Sequence, residues 1–139
     1  MTQVDLTVSE ELGRQPVTIL SVNGEIDYAN YAELTDRARA LYEAGSRNLV
    51  LDLSGVTYLG SSGLVALHAV ARVFAGEEPP DPQHGWSAIH AVDEAARDAT
   101  DPHVKLLNPS PQADRVLERT GMRALFEVHT DRAAAVDSF

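Results

Sequence analysis

Apolar residues fall into short runs along the chain, and their spacing predicts strands. Val4, Leu6 and Val8 alternate with polar residues, which is typical of a strand with one buried face. The run at residues 48–53 is apolar at four of its six positions without alternating, as expected of a strand buried on both faces of a parallel sheet. The predicted strands are residues 4–8, 17–22, 48–53, 104–107 and 125–129.

Helical spacing and capping signals separate these strands. Asn30 is a predicted helix cap, because apolar residues recur after it at helical spacing from Leu34 to Tyr42. Ser110 followed by Pro111 is typical of an N-cap with a first-turn proline, and Gly121 is expected to end the helix that starts there. Further helices are predicted at residues 63–74 and 131–139. Strands alternating with short helices predict an α/β fold, and we expect a mixed sheet of four to five strands with helices mainly on one face.

The charge balance excludes several classes of function. The 139 residues, 44% of them hydrophobic, suit one domain and include 11 Lys and Arg against 21 Asp and Glu, a formal net charge of −10. Such a chain lacks the basic patch that binds nucleic acid or anionic membranes, so neither is an expected partner. It has no cysteine, and we expect no metal or cofactor. Without a secretory signal or a membrane-length apolar run, we expect a cytoplasmic protein.

One segment, residues 75–101, differs in character from the rest. It contains Pro79, Pro80 and Pro82, and seven acidic residues against Arg97 give it a net charge of −6. This composition predicts an exposed acidic insertion within a single domain that spans residues 1–139.

The stretch from residue 49 to residue 64 carries the most chemical information. It predicts a strand, a turn-rich segment at residues 54–60, and two hydroxyls, Ser61 and Ser62, at the start of a helix. The N–H groups and the positive dipole end at such a place favour an anion. A serine there can be a helix cap, a nucleophile or an acceptor of a phosphoryl group. The nucleophile interpretation is weak, because Leu64 stands where the G-x-S-x-G motif needs its last glycine.

Three motifs in order resemble the signature of bacterial STAS domains. They are Gly-Glu-Ile-Asp at residues 24–27, Val-Leu-Asp-Leu-Ser at residues 50–54 and Ser-Ser-Gly-Leu at residues 61–64. Ser110-Pro111 and Gly121-Met122 also have the spacing of the family's third helix and following turn. Within the family, the chain is most similar to the stand-alone anti-sigma-factor antagonists.

The resemblance implies a binding protein and not an enzyme. Its expected partner is an anti-sigma factor that is also a serine kinase, which phosphorylates Ser61, and a phosphatase resets the switch. The unphosphorylated form then holds the kinase and frees a sigma factor. The outward face of the helix after Ser62 is expected to take part in docking. The implied partner-binding residues are Glu25, Asp27, Gly60, Ser61, Ser62 and Gly63.

Gly60 is a departure from the family, which usually has Asp immediately before the serine pair. This glycine favours an alternative, a STAS module that is not phosphorylated and binds proteins in a signalling or transport assembly. A nucleotide-binding STAS domain is a further alternative, although the chain has no phosphate-loop motif.

Overall fold

A computed structural model of the protein describes residues 4–76 and 102–139. Its strands form one five-stranded sheet in the order β1-β2-β3-β4-β5. The first pair is antiparallel and the other three pairs are parallel. The predicted α/β fold with a mixed sheet is therefore confirmed. The strands are β1 (Val4–Leu12), β2 (Pro16–Ile26), β3 (Leu49–Leu59), β4 (Val104–Leu107) and β5 (Glu127–His129).

Helices cover both faces of this sheet unequally. Three of them pack on one face over the larger apolar core, whose buried residues include Leu34, Leu67 and Leu117. The short last helix packs on the other face, where its Ala135 and Val136 join a smaller cluster. The helices are α1 (Tyr31–Glu43), α2 (Ser61–Phe74), α3 (Pro111–Thr120) and α4 (Arg132–Asp137), with a 3-10 turn at Met122–Ala124.

Strand β3 lies at the centre and is buried from both sides, as its continuous apolar run predicts. Leu49, Leu51 and Leu53 belong to the larger core, while Val50 belongs to the smaller one. All four side chains are fully buried. This strand carries the chain from the middle of the sheet to the start of α2, so its end fixes where α2 begins.

The prediction of a turn-rich segment at residues 54–60 was wrong, because β3 continues as a strand to Leu59. Pairing with β2 extends both strands beyond their apolar runs, with irregular register around Ser21–Asn23 and Gly24–Glu25. Gly24 has a φ of +110°, a conformation that favours glycine, and the Asn23 side chain lies where a Cβ on Gly55 would stand. Strand pairing here overrides the local turn preference of the sequence.

The capping signals had mixed outcomes. Ser110 caps α3 by accepting a hydrogen bond from the N–H of Ala113, and Gly121 ends that helix with a φ of +79°, as predicted. Asn30 precedes α1, but its side chain does not cap the helix. It instead bonds the chain before the helix, accepting from the N–H of Asp27 at 3.0 Å and donating to the carbonyl of Glu25 at 2.8 Å.

Residues 77–101 of the predicted acidic insertion lie outside the described residues. Its character and the single domain over residues 1–139 stay predictions. The predicted strand at residues 125–129 is shorter, since Leu125 and Phe126 are buried in the larger core before β5 begins. Among the helices of the described ranges, none is long and apolar enough to cross a membrane.

Candidate functional site

Ser61 and Ser62 are the first two residues of α2, directly after the end of β3. Gly60 occupies the N-cap position in an extended conformation. Ser61 is exposed and Ser62 is half-buried. Neither hydroxyl makes a hydrogen bond to any part of the chain that the structure describes, and neither caps the helix. Neither serine is therefore the cap of α2, and the Ser61 hydroxyl stabilises no part of the described structure through a hydrogen bond.

The backbone before Ser61 is held from two sides. On one side the N–H of Gly60 donates to the carbonyl of Ile26 in β2, at 3.4 Å. On the other side, Gln112 of α3 accepts from the N–H of Leu59 at 2.8 Å and donates to the Leu59 carbonyl at 3.2 Å. No local pattern in the sequence marks Gln112 for this contact, because the two residues are 53 positions apart.

Gly63 is buried in the first turn of α2 and does not present a surface to a partner. A Cβ at this position would overlap the Leu59 side chain and stand 3.2 Å from Cγ2 of Ile26. Its predicted place among the partner-binding residues is therefore corrected: glycine here lets α2 approach the ends of β2 and β3. The close approach is within the protein, and it sets the position of the two serines.

Two exposed tyrosines accompany the site, and the sequence analysis did not single them out. Tyr58, in β3, is 49% exposed, and Tyr28, after β2, is 79% exposed. A Cβ on Gly60 would stand 3.1 Å from Cε1 of Tyr58, so the ring lies against Gly60. Gly60 has a φ of −95°, which any residue adopts, and its lack of a side chain makes room for the Tyr58 ring.

The two predicted acidic residues lie at the same edge of the sheet but differ in their surroundings. Glu25 is exposed and stands opposite Tyr58 in the register of β2 and β3. Asp27 is half-buried, and its carboxylate accepts from the N–H groups of Ala29 at 2.9 Å and Asn30 at 3.2 Å. Asp27 therefore organises the turn into α1, while Glu25 has a carboxylate available at the surface.

Beyond its first turn, α2 offers little surface. Every residue from Gly63 to Ala71 is buried, including the polar His68. The expected docking face along this helix was therefore wrong, and the accessible part is the N-terminal end. We use the name Ser61 edge for accessible residues at the end of β2, the end of β3 and the start of α2: Glu25, Tyr28, Tyr58, Gly60, Ser61 and Ser62.

The electrostatics of the Ser61 edge suit an added negative charge on Ser61. The first turn of α2 contains no acidic residue. Its unpaired N–H groups and the positive end of the helix dipole stabilise an anion by about 0.3–1 kcal/mol. In the described ranges, no group of three or more His, Asp or Glu side chains is placed to hold a metal ion. The chemistry available at this edge is that of an accessible hydroxyl at a helix N-terminus.

Part of the chain is similar in sequence to known proteins. Residues 9–75 match the family model of the STAS domain. The anti-sigma-F factor antagonist RsfB of Mycobacterium tuberculosis is 36% identical over 69 residues, which are 50% of this chain and 54% of that relative. The match thus spans about half the length of the curated relative.

Solved structures share the fold along almost the whole chain. An anti-sigma factor antagonist from Mycobacterium paratuberculosis superposes with a TM-score of 0.67 at 22% identity, covering 96% of this chain and 92% of the other. The antagonist SpoIIAA in its unphosphorylated form gives 0.62 at 15% identity, covering 94% of both chains. SpoIIAA of Bacillus in its phosphorylated form gives 0.55 at 13% identity, covering 94% of this chain and 97% of that one.

Proposed function

We propose that this chain, of which residues 9–75 match the STAS domain model, is an anti-sigma-factor antagonist switched by phosphorylation at Ser61. The unphosphorylated protein binds an anti-sigma factor with serine kinase activity and so frees a sigma factor. The phosphorylated protein releases it, and a phosphatase restores the first state. The chain is a substrate of the kinase and not a catalyst, uses no cofactor and acts in the cytoplasm.

The observation that carries this proposal is the setting of Ser61. Its hydroxyl is exposed, makes no hydrogen bond within residues 4–76 and 102–139, and starts a helix whose first turn has no acidic residue. Ser62 is half-buried, so a kinase active site reaches Ser61 more easily. The names of the relatives support the same function, since SpoIIAA is described in phosphorylated and unphosphorylated forms.

Phosphorylation acts on the interface and leaves the fold intact. It adds about −1.5 to −2 charges and three acceptor oxygens at one point. The N-terminus of α2 stabilises this charge within the domain. A partner surface that fits the uncharged Ser61 hydroxyl meets instead a bulky dianion. Desolvation and repulsion at that contact weaken the complex.

The partner surface of this proposal is the Ser61 edge. Tyrosine is enriched among residues that dominate binding energies, and both Tyr28 and Tyr58 are exposed, with the Tyr58 ring against Gly60. Glu25 is at the rim, where charge adds to the association rate and to selectivity. The rest of this surface consists of the backbone at Gly60 and the hydroxyls of Ser61 and Ser62.

Affinity capture with three baits from the native cytoplasm tests the proposal. The baits are the wild-type chain, Ser61→Asp and Thr7→Asp, a control that adds the same charge to an exposed β1 residue away from Ser61. We expect the wild type and Thr7→Asp to recover an anti-sigma factor with a kinase domain, and Ser61→Asp to lose it. Equal recovery of one partner by all three baits would contradict the switch and favour the unphosphorylated binding module. Saturable nucleotide binding by the purified chain would favour the nucleotide-binding alternative.

A further inference from the structure

Among the described residues, no strand pairs with the end of β3 on the side that faces β4. Strand β4 pairs with β3 only from Leu49 to Asp52, whereas β3 continues to Leu59. At that last residue the Gln112 side chain takes the place of a strand. Its amide oxygen accepts from the Leu59 N–H and its amide nitrogen donates to the Leu59 carbonyl. One side-chain amide thus supplies both bonds that a neighbouring strand gives to a residue.

Gln112 is well placed to act as a fixed anchor. It is the second residue of α3, between Pro111, which is preorganised for a first turn, and Ala113, which is fully buried. The cap of Ser110 holds this turn through the N–H of Ala113, and the Ser110 carbonyl accepts from the N–H of Asp114 at 2.8 Å. The backbone that carries Gln112 is therefore rigid.

The two anchors of the segment before Ser61 differ in strength. The bond from the Gly60 N–H to Ile26 is 3.4 Å long, near the limit for a hydrogen bond, whereas the bond from the Leu59 N–H to Gln112 is 2.8 Å. Leu59 is two residues before Ser61, and Gly60 between them has no side chain to pack. The contact with Gln112 is thus the stronger restraint on the backbone that enters α2.

We propose that Gln112 is a positioning residue for the switch: its amide clamp on Leu59 holds Ser61 in the geometry that the kinase and the partner recognise. This inference rests on the proposed function of Ser61. The switch then depends directly on α3, a helix that is distant from Ser61 in the sequence. Loss of the clamp lets the β3 end move and reduces the fraction of molecules in which Ser61 is correctly presented.

Three variants separate this role from a general contribution to stability. Gln112→Ala removes both bonds, and Gln112→Glu keeps the acceptor for the Leu59 N–H but loses the donor to its carbonyl. Leu117→Val is the matched control, because it weakens the core packing of the same helix without removing a hydrogen bond to Leu59. Amide hydrogen exchange measured by NMR reports on the clamp without any partner. Phosphorylation of Ser61 by the captured anti-sigma factor, as kcat/KM, reports on the switch.

For Gln112→Ala, we expect at least about tenfold faster exchange of the Leu59 amide, because that N–H loses its only described acceptor. We also expect kcat/KM for phosphorylation to fall about fivefold or more. Gln112→Glu keeps only one of the two bonds and sets a carboxylate oxygen against the Leu59 carbonyl, so we expect its exchange rate to lie between those of the wild type and Gln112→Ala. Leu117→Val leaves both quantities within about twofold of the wild type, although it destabilises the same helix.

Two results would overturn the inference. One is unchanged Leu59 exchange in Gln112→Ala, and the other is released Leu59 exchange with phosphorylation as fast as in the wild type. If Leu117→Val changed both readouts as much as Gln112→Ala does, Gln112 would be a merely stabilising residue. Failure of the wild-type chain to be phosphorylated would instead refute the proposed function, whatever the exchange data show about the clamp.

Discussion

Replacing Gly60 with aspartate is expected to stabilise the free protein. Gly60 is the N-cap of α2 with φ −95° and ψ −173°, a backbone that an aspartate adopts without strain. A carboxylate there accepts from an N–H of the first turn, a gain of a few tenths of a kcal/mol over glycine. Its charge at the helix N-terminus adds about 0.3–1 kcal/mol.

The cost of this substitution comes from Tyr58. The new Cβ would stand 3.1 Å from Cε1 of the ring, a distance that requires a shift of a few tenths of an ångström. Because Tyr58 is 49% exposed, the ring can move toward solvent at little cost. The balance is a gain of about 0.5–1 kcal/mol in the free energy of unfolding.

Urea unfolding of a series at position 60 measures this balance. With a slope of about 1.7 kcal/mol/M, the midpoint of Gly60→Asp should rise by about 0.3–0.6 M. Gly60→Asn retains the cap without the charge, and Gly60→Ala retains only the Cβ. We expect the order Asp, Asn, Gly, Ala from most to least stable, with the Asp–Asn gap closing at about 1 M salt. A Gly60→Asp protein less stable than the wild type would refute the description of this helix start.

Three further predictions concern packing, pH and partner binding. Gly63→Ala should lower the free energy of unfolding by about 1 kcal/mol in urea, because crowding against Leu59 and Ile26 outweighs the gain in helix propensity; a more stable variant would contradict the close approach. Burial acts to raise the pKa of Glu127, but the hydrogen bonds and charges of Lys105 and His129 outweigh it and lower that pKa from its ordinary 4.5. The Glu127 carboxylate therefore stabilises the fold above pH ~4.5, and this contribution is lost as the pH falls through the lower pKa of the folded state. Glu127→Gln should flatten the decline of stability in acid by a few tenths of a kcal/mol, since solvent screens this exposed group. An unchanged acid profile would contradict this role of Glu127. Tyr58→Ala should weaken binding of the anti-sigma factor about tenfold or more, measured by calorimetry, whereas Leu12→Ala, at an exposed residue of β1, should not; equal losses would exclude Tyr58 as an anchor.

Local signals in the sequence predicted the C-terminal part of the fold well. The strand at Val104–Leu107 has the predicted bounds. Ser110 and Gly121 begin and end α3 as predicted, because capping depends on the residues that adopt those conformations. The same reasoning placed Ser61 next to the start of a helix. The helix was predicted to begin at residue 63 and begins two residues earlier, at Ser61.

Features that depend on contacts between distant segments were not predictable in this way. The extension of β3 to Leu59 depends on pairing with β2, whose length no local pattern near residue 55 encodes. The clamp of Gln112 on Leu59 joins two helix-strand units and uses a side chain with no distinctive spacing. Asn30 satisfied the sequence pattern of a cap, yet its side chain bonds Glu25 and Asp27 instead. In each case tertiary structure decides between local options of similar energy.

The most direct test of the central claim is to map the phosphoryl group on the chain. The purified protein is incubated with ATP and the captured anti-sigma factor, and the product is analysed by tandem mass spectrometry. We expect one phosphoryl group on Ser61, absent from Ser61→Ala and retained in Ser62→Ala, since Ser61 is exposed whereas Ser62 is half-buried. A phosphoryl group on Ser62, or none on a chain that binds the anti-sigma factor, would contradict the assignment of Ser61 as the switch.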